Sequence, residues 1–110
     1  MFKISNKTIQ ITRGDTGVFT LSINAGGQSY DYSNDQVLFT VKRNVNTAEI
    51  LFQKTVEYNQ PVIIEPECTK SLPYGTFTYD VQVTTQNGVV NTVITPHPFI
   101  VCPEVTWEVE

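Results

Sequence analysis

Few residues in this chain are of types that do chemistry, and their spacing decides what they can do. His97, Cys68 and Cys102 are the candidates for a thiol–imidazole pair or a metal centre. His97 is the only histidine, so any Cys–His nucleophile must use it. Tetrahedral zinc needs a fourth ligand, and no Cys-x-x-Cys pair is present to begin one. Asp31, Asn34 and Asp35 offer oxygen atoms but lack the ligand spacing of a calcium loop and its distant bidentate Glu. Capping of a turn is the preferred reading for them. Asp80 stands between Thr78 and Gln82 on the polar face of a long strand. A lone carboxylate there more often bonds a neighbouring loop than performs acid–base work. No residue is therefore singled out as catalytic, cofactor-binding or metal-binding, and the chain is read as not an enzyme.

Three further patterns have a functional and a plain reading. Arg13-Gly14-Asp15 is a tripeptide that some integrin ligands display, yet Gly and Asp are also what a tight turn between strands uses. The turn is preferred. Asn6-Lys7-Thr8 fits the glycosylation sequon, but Met1 to Lys7 lack the apolar stretch and cleavage site of a secretory signal. Tyr30, Tyr32 and Tyr58 could bind a sugar if their rings converged in a groove. Tyr30 and Tyr58 flank loops and are expected to be exposed, whereas Phe77, Tyr79 and Trp107 are assigned to a core.

The element that must position all of these runs from Tyr74 to Thr85. Phe77, Tyr79, Val81 and Val83 alternate with Thr76, Thr78, Asp80, Gln82 and Thr84, the period-two pattern of a strand with one buried face. Asn87-Gly88 follows, the pair that best suits a type I′ hairpin turn. Centring the turn there sets Val81 opposite Ile94, Val83 opposite Thr92 and Thr84 opposite Asn91.

Elsewhere, strands are expected at Thr8 to Thr12, at Val18 to Asn24 with Phe19, Leu21 and Ile23 inward, and at Gln36 to Lys42 with Val37, Phe39 and Val41 inward. Glu49 to Thr55, with Ile50 and Phe52 inward, and Val62 to Glu65 follow. Pro66 to Leu72 suits one helical turn, with Pro66 at its start, Leu72 tucked under and Pro73 stopping it. Pro96 and Pro98 punctuate the chain before Phe99 to Cys102, and Glu104 to Glu110 reads as a last strand with Val105, Trp107 and Val109 on one face. The glycines at 14 and 17 are assigned to unusual φ values. Eight to ten short strands at this spacing, with at most one helical turn, read as an all-β fold: an antiparallel β-sandwich, immunoglobulin-like, or a small barrel.

A chain of 110 residues fits a single domain, 1–110, able to bury a core without metal or disulfide. The net charge of −4 and scattered basic residues disfavour a nucleic-acid partner, and no apolar run has membrane-spanning length. Synthesis in a bacterial cytoplasm is expected, which keeps Cys68 and Cys102 reduced; a disulfide between them is the minor alternative.

Two segments carry a family likeness. Ile11-Thr12-Arg13-Gly14-Asp15-Thr16, followed by an alternating strand, resembles the opening of the N-terminal domain of phage and prophage baseplate upper (tail) proteins of Gram-positive bacteria. Ile64 to Thr84 is similar to that family's most distinctive block, a Pro-Glu-Asp-Thr-like turn, then Gly, an aromatic, and Tyr79-Asp80-Val81. Asn91-Thr92-Val93-Ile94 and Phe99-Ile100-Val101 match its closing strands, so the likeness runs in order over nearly the whole chain. Cys68 departs from the pattern where the turn's Asp is expected, which removes that Asp's local capping bond.

The resemblance implies a domain that docks on the hub of the tail, carries a further module outward, and ends up in the virion tail with other tail and baseplate proteins as partners. In that family the domain begins a longer chain; ending at Glu110, this one is expected to be an isolated domain or a minimal stand-alone relative. The rival expectation is a small carbohydrate-binding β-sandwich module that recognises cell-wall sugars through Tyr30, Tyr32 and Tyr58.

Overall fold

The computed structural model describes residues 1–103; the strand expected over 104–110, with Val105, Trp107 and Val109, lies outside them. In chain order the elements are β1 (Phe2–Ser5), β2 (Thr8–Thr12), β3 (Gly17–Phe19), β4 (Asn24–Ala25), β5 (Gln28–Ser29), β6 (Gln36–Lys42), β7 (Ile50–Thr55), β8 (Val62–Ile64), α1 (Pro66–Lys70), β9 (Gly75–Thr84) and β10 (Val90–Cys102). The fold is all-β and sandwich-like, as expected.

Six strands form one sheet in the order β1-β2-β10-β9-β6-β7, and β3 pairs with β8, β4 with β5. Alternation decides which face of the large sheet is dry. Ile9, Ile11, Phe99, Val101, Phe77, Tyr79, Val81, Val83, Val37, Phe39 and Val41 share one buried face. Val62 and Ile64 of β8, Ile23, Tyr32, Val56 and Leu72 close over them in a single hydrophobic cluster. Phe39 sits at its centre, with the rings of Phe19, Tyr79, Phe52 and Phe99 around it. Pairing is antiparallel throughout except between β2 and β10, which run parallel from Phe99 opposite Ile9.

Several expectations need correction. β1 is a strand beyond those the sequence pattern predicts: Asn6 and Lys7 take positive φ (49° and 67°), a two-residue turn that pairs Ser5 with Thr8. The strand expected over Val18 to Asn24 breaks after Phe19, yet Ile23 still reaches the core. Gly17 serves close approach rather than unusual φ, because a Cβ there would stand 2.5 Å from Phe2 Cδ1. Ile50 faces outward, since the ladder slips between Val41 and Lys42 and inserts Leu51 as an extra residue.

The β9–β10 hairpin also differs from the expected register. Its loop is Thr85 to Val89, with the N–H of Gly88 donating to the Thr85 carbonyl and that of Thr85 to the Val89 carbonyl, both at 2.9 Å. Gly88 takes positive φ (84°) and Asn87 does not, so this is a type I turn with a left-handed glycine rather than type I′. Val83 therefore pairs with Asn91 and Thr84 with Val90. A bulge after Thr92 then restores Val81 opposite Ile94.

β10 also runs unbroken through Pro96 and Pro98. Pro96 falls inside a second register shift, and among the described residues β10 has no second neighbour before Phe99, so neither ring removes a needed donor.

Candidate binding surface

The Arg13-Gly14-Asp15 turn is spent on the fold. The N–H of Gly14 donates to Thr69 Oγ1 at 2.9 Å, and Arg13 Nη1 donates to the Leu72 carbonyl at 3.3 Å. The Arg13 guanidinium lies over the Tyr74 ring, 4.5 Å from its centroid, and Asp15 pairs with the Met1 amino group. Thr69 is fully buried on α1. The tripeptide thus clamps the end of β2 to the helix, as a turn reading requires.

α1 has Pro66 at its first position and Glu65 as N-cap, with no side-chain capping bond. The Glu65 carboxylate turns instead to Lys54 of β7. That ion pair holds Glu65 below the ordinary carboxylate range and Lys54 above the ordinary amine range. Cys68 Sγ stands 3.6 Å from Glu65 Oε1, and burial pushes its thiol up. Cys68 and Cys102 are both free thiols.

Hydrogen bonds from the Ser33 side chain and from the Ser33 N–H, the latter to Oδ1 at 2.9 Å, lower the Asp31 carboxyl, and Asp35 accepts the Tyr30 hydroxyl. These carboxylates are engaged within their own turn, and among the described residues no group of three or more His, Cys, Asp or Glu is placed to hold a metal ion. His97 lies within β10, its ring facing Tyr79 at 6.4 Å and Nδ1 against the Thr95 carbonyl oxygen. Tyr32 is buried with its hydroxyl donating to the Leu21 carbonyl, and Tyr58 meets it edge-on at 5.0 Å. Tyr30, Tyr32 and Tyr58 therefore do not present three open faces, and Tyr30 and Tyr58 are half-buried rather than exposed.

Among the described residues, two features remain open to a ligand. The first is a groove of about 290 Å³ on the wet face of the large sheet. Asp80 stands in its floor on β9, flanked by Thr78 and Gln82, with Thr40 and Lys42 of β6 beside it. Val45, Ile50 and Pro96 form apolar rims. Gln53 Nε2 donates to Thr40 Oγ1 at 2.9 Å, fixing that side of the floor. The Asp80 carboxylate has no hydrogen-bond partner among the described residues, contrary to the expected bond to a loop. Burial raises its carboxyl, opposed by the positive charge of Lys42.

The second feature is the free edge of β10. From Gln86 to Val93 every residue is exposed, with Val89, Val90 and Val93 at 53%, 57% and 37%. Residues 81–103 contain no Asp, Glu, Lys or Arg. Edges normally carry charge to discourage pairing with another chain. Here bulges and prolines guard the stretch from Val93 to Pro98, and among the described residues nothing comparable guards Val90 to Thr92. That charge-free run was the readable signal for this surface.

Among the described residues no helix is long and apolar enough to cross a membrane. Comparison with protein-family models, with curated proteins and with solved structures finds no match to this chain.

Proposed function

We propose that the chain is a structural, protein-binding domain of a phage or prophage tail and baseplate assembly, and that it docks on the tail hub through a sheet edge. The observation that carries the docking part is the exposed, charge-free edge at Val90 to Thr92. An unpaired strand offers a row of N–H and C=O groups to an extended partner segment, and flanking valines supply apolar contact. The placement in a tail rests on the ordered likeness of Ile11 to Thr16, Ile64 to Thr84 and the closing strands to baseplate upper proteins. Many copies in a virion multiply weak edge contacts by avidity.

The test is co-expression with the neighbouring tail hub protein, followed by size exclusion at micromolar concentration. A stable complex that is lost on V90K/T92K supports the reading. Absence of co-migration, or a complex indifferent to those charges, overturns it. The sugar-binding alternative through Tyr30, Tyr32 and Tyr58 has no support in the ring placement, because Tyr32 is core and Tyr58 packs on it.

A further inference from the structure

We propose that the groove around Asp80 is a binding site for a neutral polyhydroxylated ligand, one sugar ring in size. The site borders the docking edge, since Gln82 Nε2 donates to Thr92 Oγ1 at 3.4 Å, but it does not depend on the tail assignment.

Charge balance comes first. Asp80 and Lys42 place one carboxylate and one ammonium in the same groove. An anion meets the first and a cation meets the second, so a neutral ligand suffers least. Hydrogen-bonding capacity narrows the class further. The Asp80 carboxylate only accepts and has no partner among the described residues, the Lys42 ammonium only donates, and the Thr78 hydroxyl and Gln82 amide, which already donate to the His97 carbonyl and Thr92 Oγ1 at 3.4 Å, keep oxygens that accept. A hydroxyl both donates and accepts, so vicinal hydroxyls can bridge a carboxylate and an ammonium that face one cavity. Apolar groups then complete the fit, since Ile50 at 47% exposed offers a wet aliphatic surface to the C–H face of a pyranose. The slip in β7 that turns Ile50 outward is what puts it there. A volume of about 290 Å³ admits a single ring.

The experiment is a titration of the 15N-labelled protein with N-acetyl-D-glucosamine, followed by backbone amide shifts, with methylguanidinium and inorganic phosphate as comparison probes. The expected result is saturable shifts on Thr40, Lys42, Thr78, Asp80 and Gln82, with a dissociation constant on the order of millimolar. Asp80→Asn keeps the shape but removes the charged acceptor, and should weaken binding about fivefold or more. I50S removes the apolar wall and should weaken it independently. No saturable shift up to about 50 mM sugar overturns the proposal, given the affinity expected of so small a ligand. So do shifts confined to the Tyr30 and Tyr58 side, or tighter binding of either charged probe. V90K alone, which leaves Thr92 and its bond to Gln82 in place, should bind the sugar as the parent does, which separates failure here from failure of the docking edge.

Discussion

Tyr79 donates its phenolic hydroxyl to the carbonyl oxygen of Lys7 at 2.7 Å, joining the centre of the large sheet to the turn of the first hairpin, 72 positions away in sequence. The ring is buried in the core, so its polar tip needs this partner. Tyr79→Phe should keep the fold and lower unfolding stability by about 1 kcal/mol, the usual net worth of such a bond. Urea unfolding checks it. Burial also raises the Tyr79 phenol above its ordinary value. The unfolded chain then ionises first on the alkaline side, so it binds fewer protons than the folded protein and stability falls as pH rises past the ordinary phenol range. Tyr32, also raised by burial, shares this loss. In Tyr79→Phe the alkaline fall should be shallower but still present.

Phe39 is fully buried and touches four other rings, at centroid distances from 5.2 to 6.4 Å. Phe39→Ala opens a cavity that no single neighbour can fill. The expected loss is about 3–5 kcal/mol, a large part of what a domain this size has. Circular dichroism melts should show a large drop in Tm or loss of the cooperative transition, while Phe39→Leu should remain folded.

The central strands were legible because Val37, Phe39 and Val41, like Phe77 to Val83, alternate without interruption, and burial of one face enforces that period. What failed to show was whatever an extra residue changes. Leu51 shifts β7 by one and turns Ile50 outward, and Gly88 rather than Asn87 takes the left-handed φ, which moves Val83 from Thr92 to Asn91. Such slips trade one local turn geometry for another of similar energy, and tertiary packing chooses between them. The same slip creates the groove's apolar wall, so the site was illegible for the same reason. The N-terminal strand carries no turn signal in the sequence, because Asn6-Lys7 is an uncommon pair for a turn with two positive φ values. Asp80 was visible as a polar strand residue, but its proximity to Lys42 depends on the β6–β9 register.

Asp80 supplies a pH prediction of known sign. Its carboxyl is raised by burial, with Lys42 pulling the other way, so the folded protein holds this proton more tightly than the unfolded chain does. The charged form therefore costs stability above its folded value, and that cost disappears as pH falls below the unfolded carboxylate range. Asp80→Asn should be more stable than the parent at neutral pH. The difference should shrink as pH falls through the folded Asp80 value, as thermal melts at stepped pH will show. A variant less stable than the parent at pH 7 would mean that the carboxylate is making a favourable contact instead.

Thr69 gives the sharpest test of what the Arg13-Gly14-Asp15 turn is for. Its hydroxyl is fully buried and accepts the Gly14 N–H, and its backbone carbonyl accepts the N–H of Leu72, which is itself core. Thr69→Val keeps the volume but removes the acceptor, leaving a part-buried N–H unpaired. That should cost about 1–3 kcal/mol, whereas Thr69→Ser keeps the oxygen and should lose less. The loosened turn should also show in hydrogen exchange, with the Gly14 amide losing protection in the Val variant and keeping it in the Ser variant. If instead the tripeptide were a displayed recognition loop, its amide would exchange rapidly in the parent and the two variants would not differ.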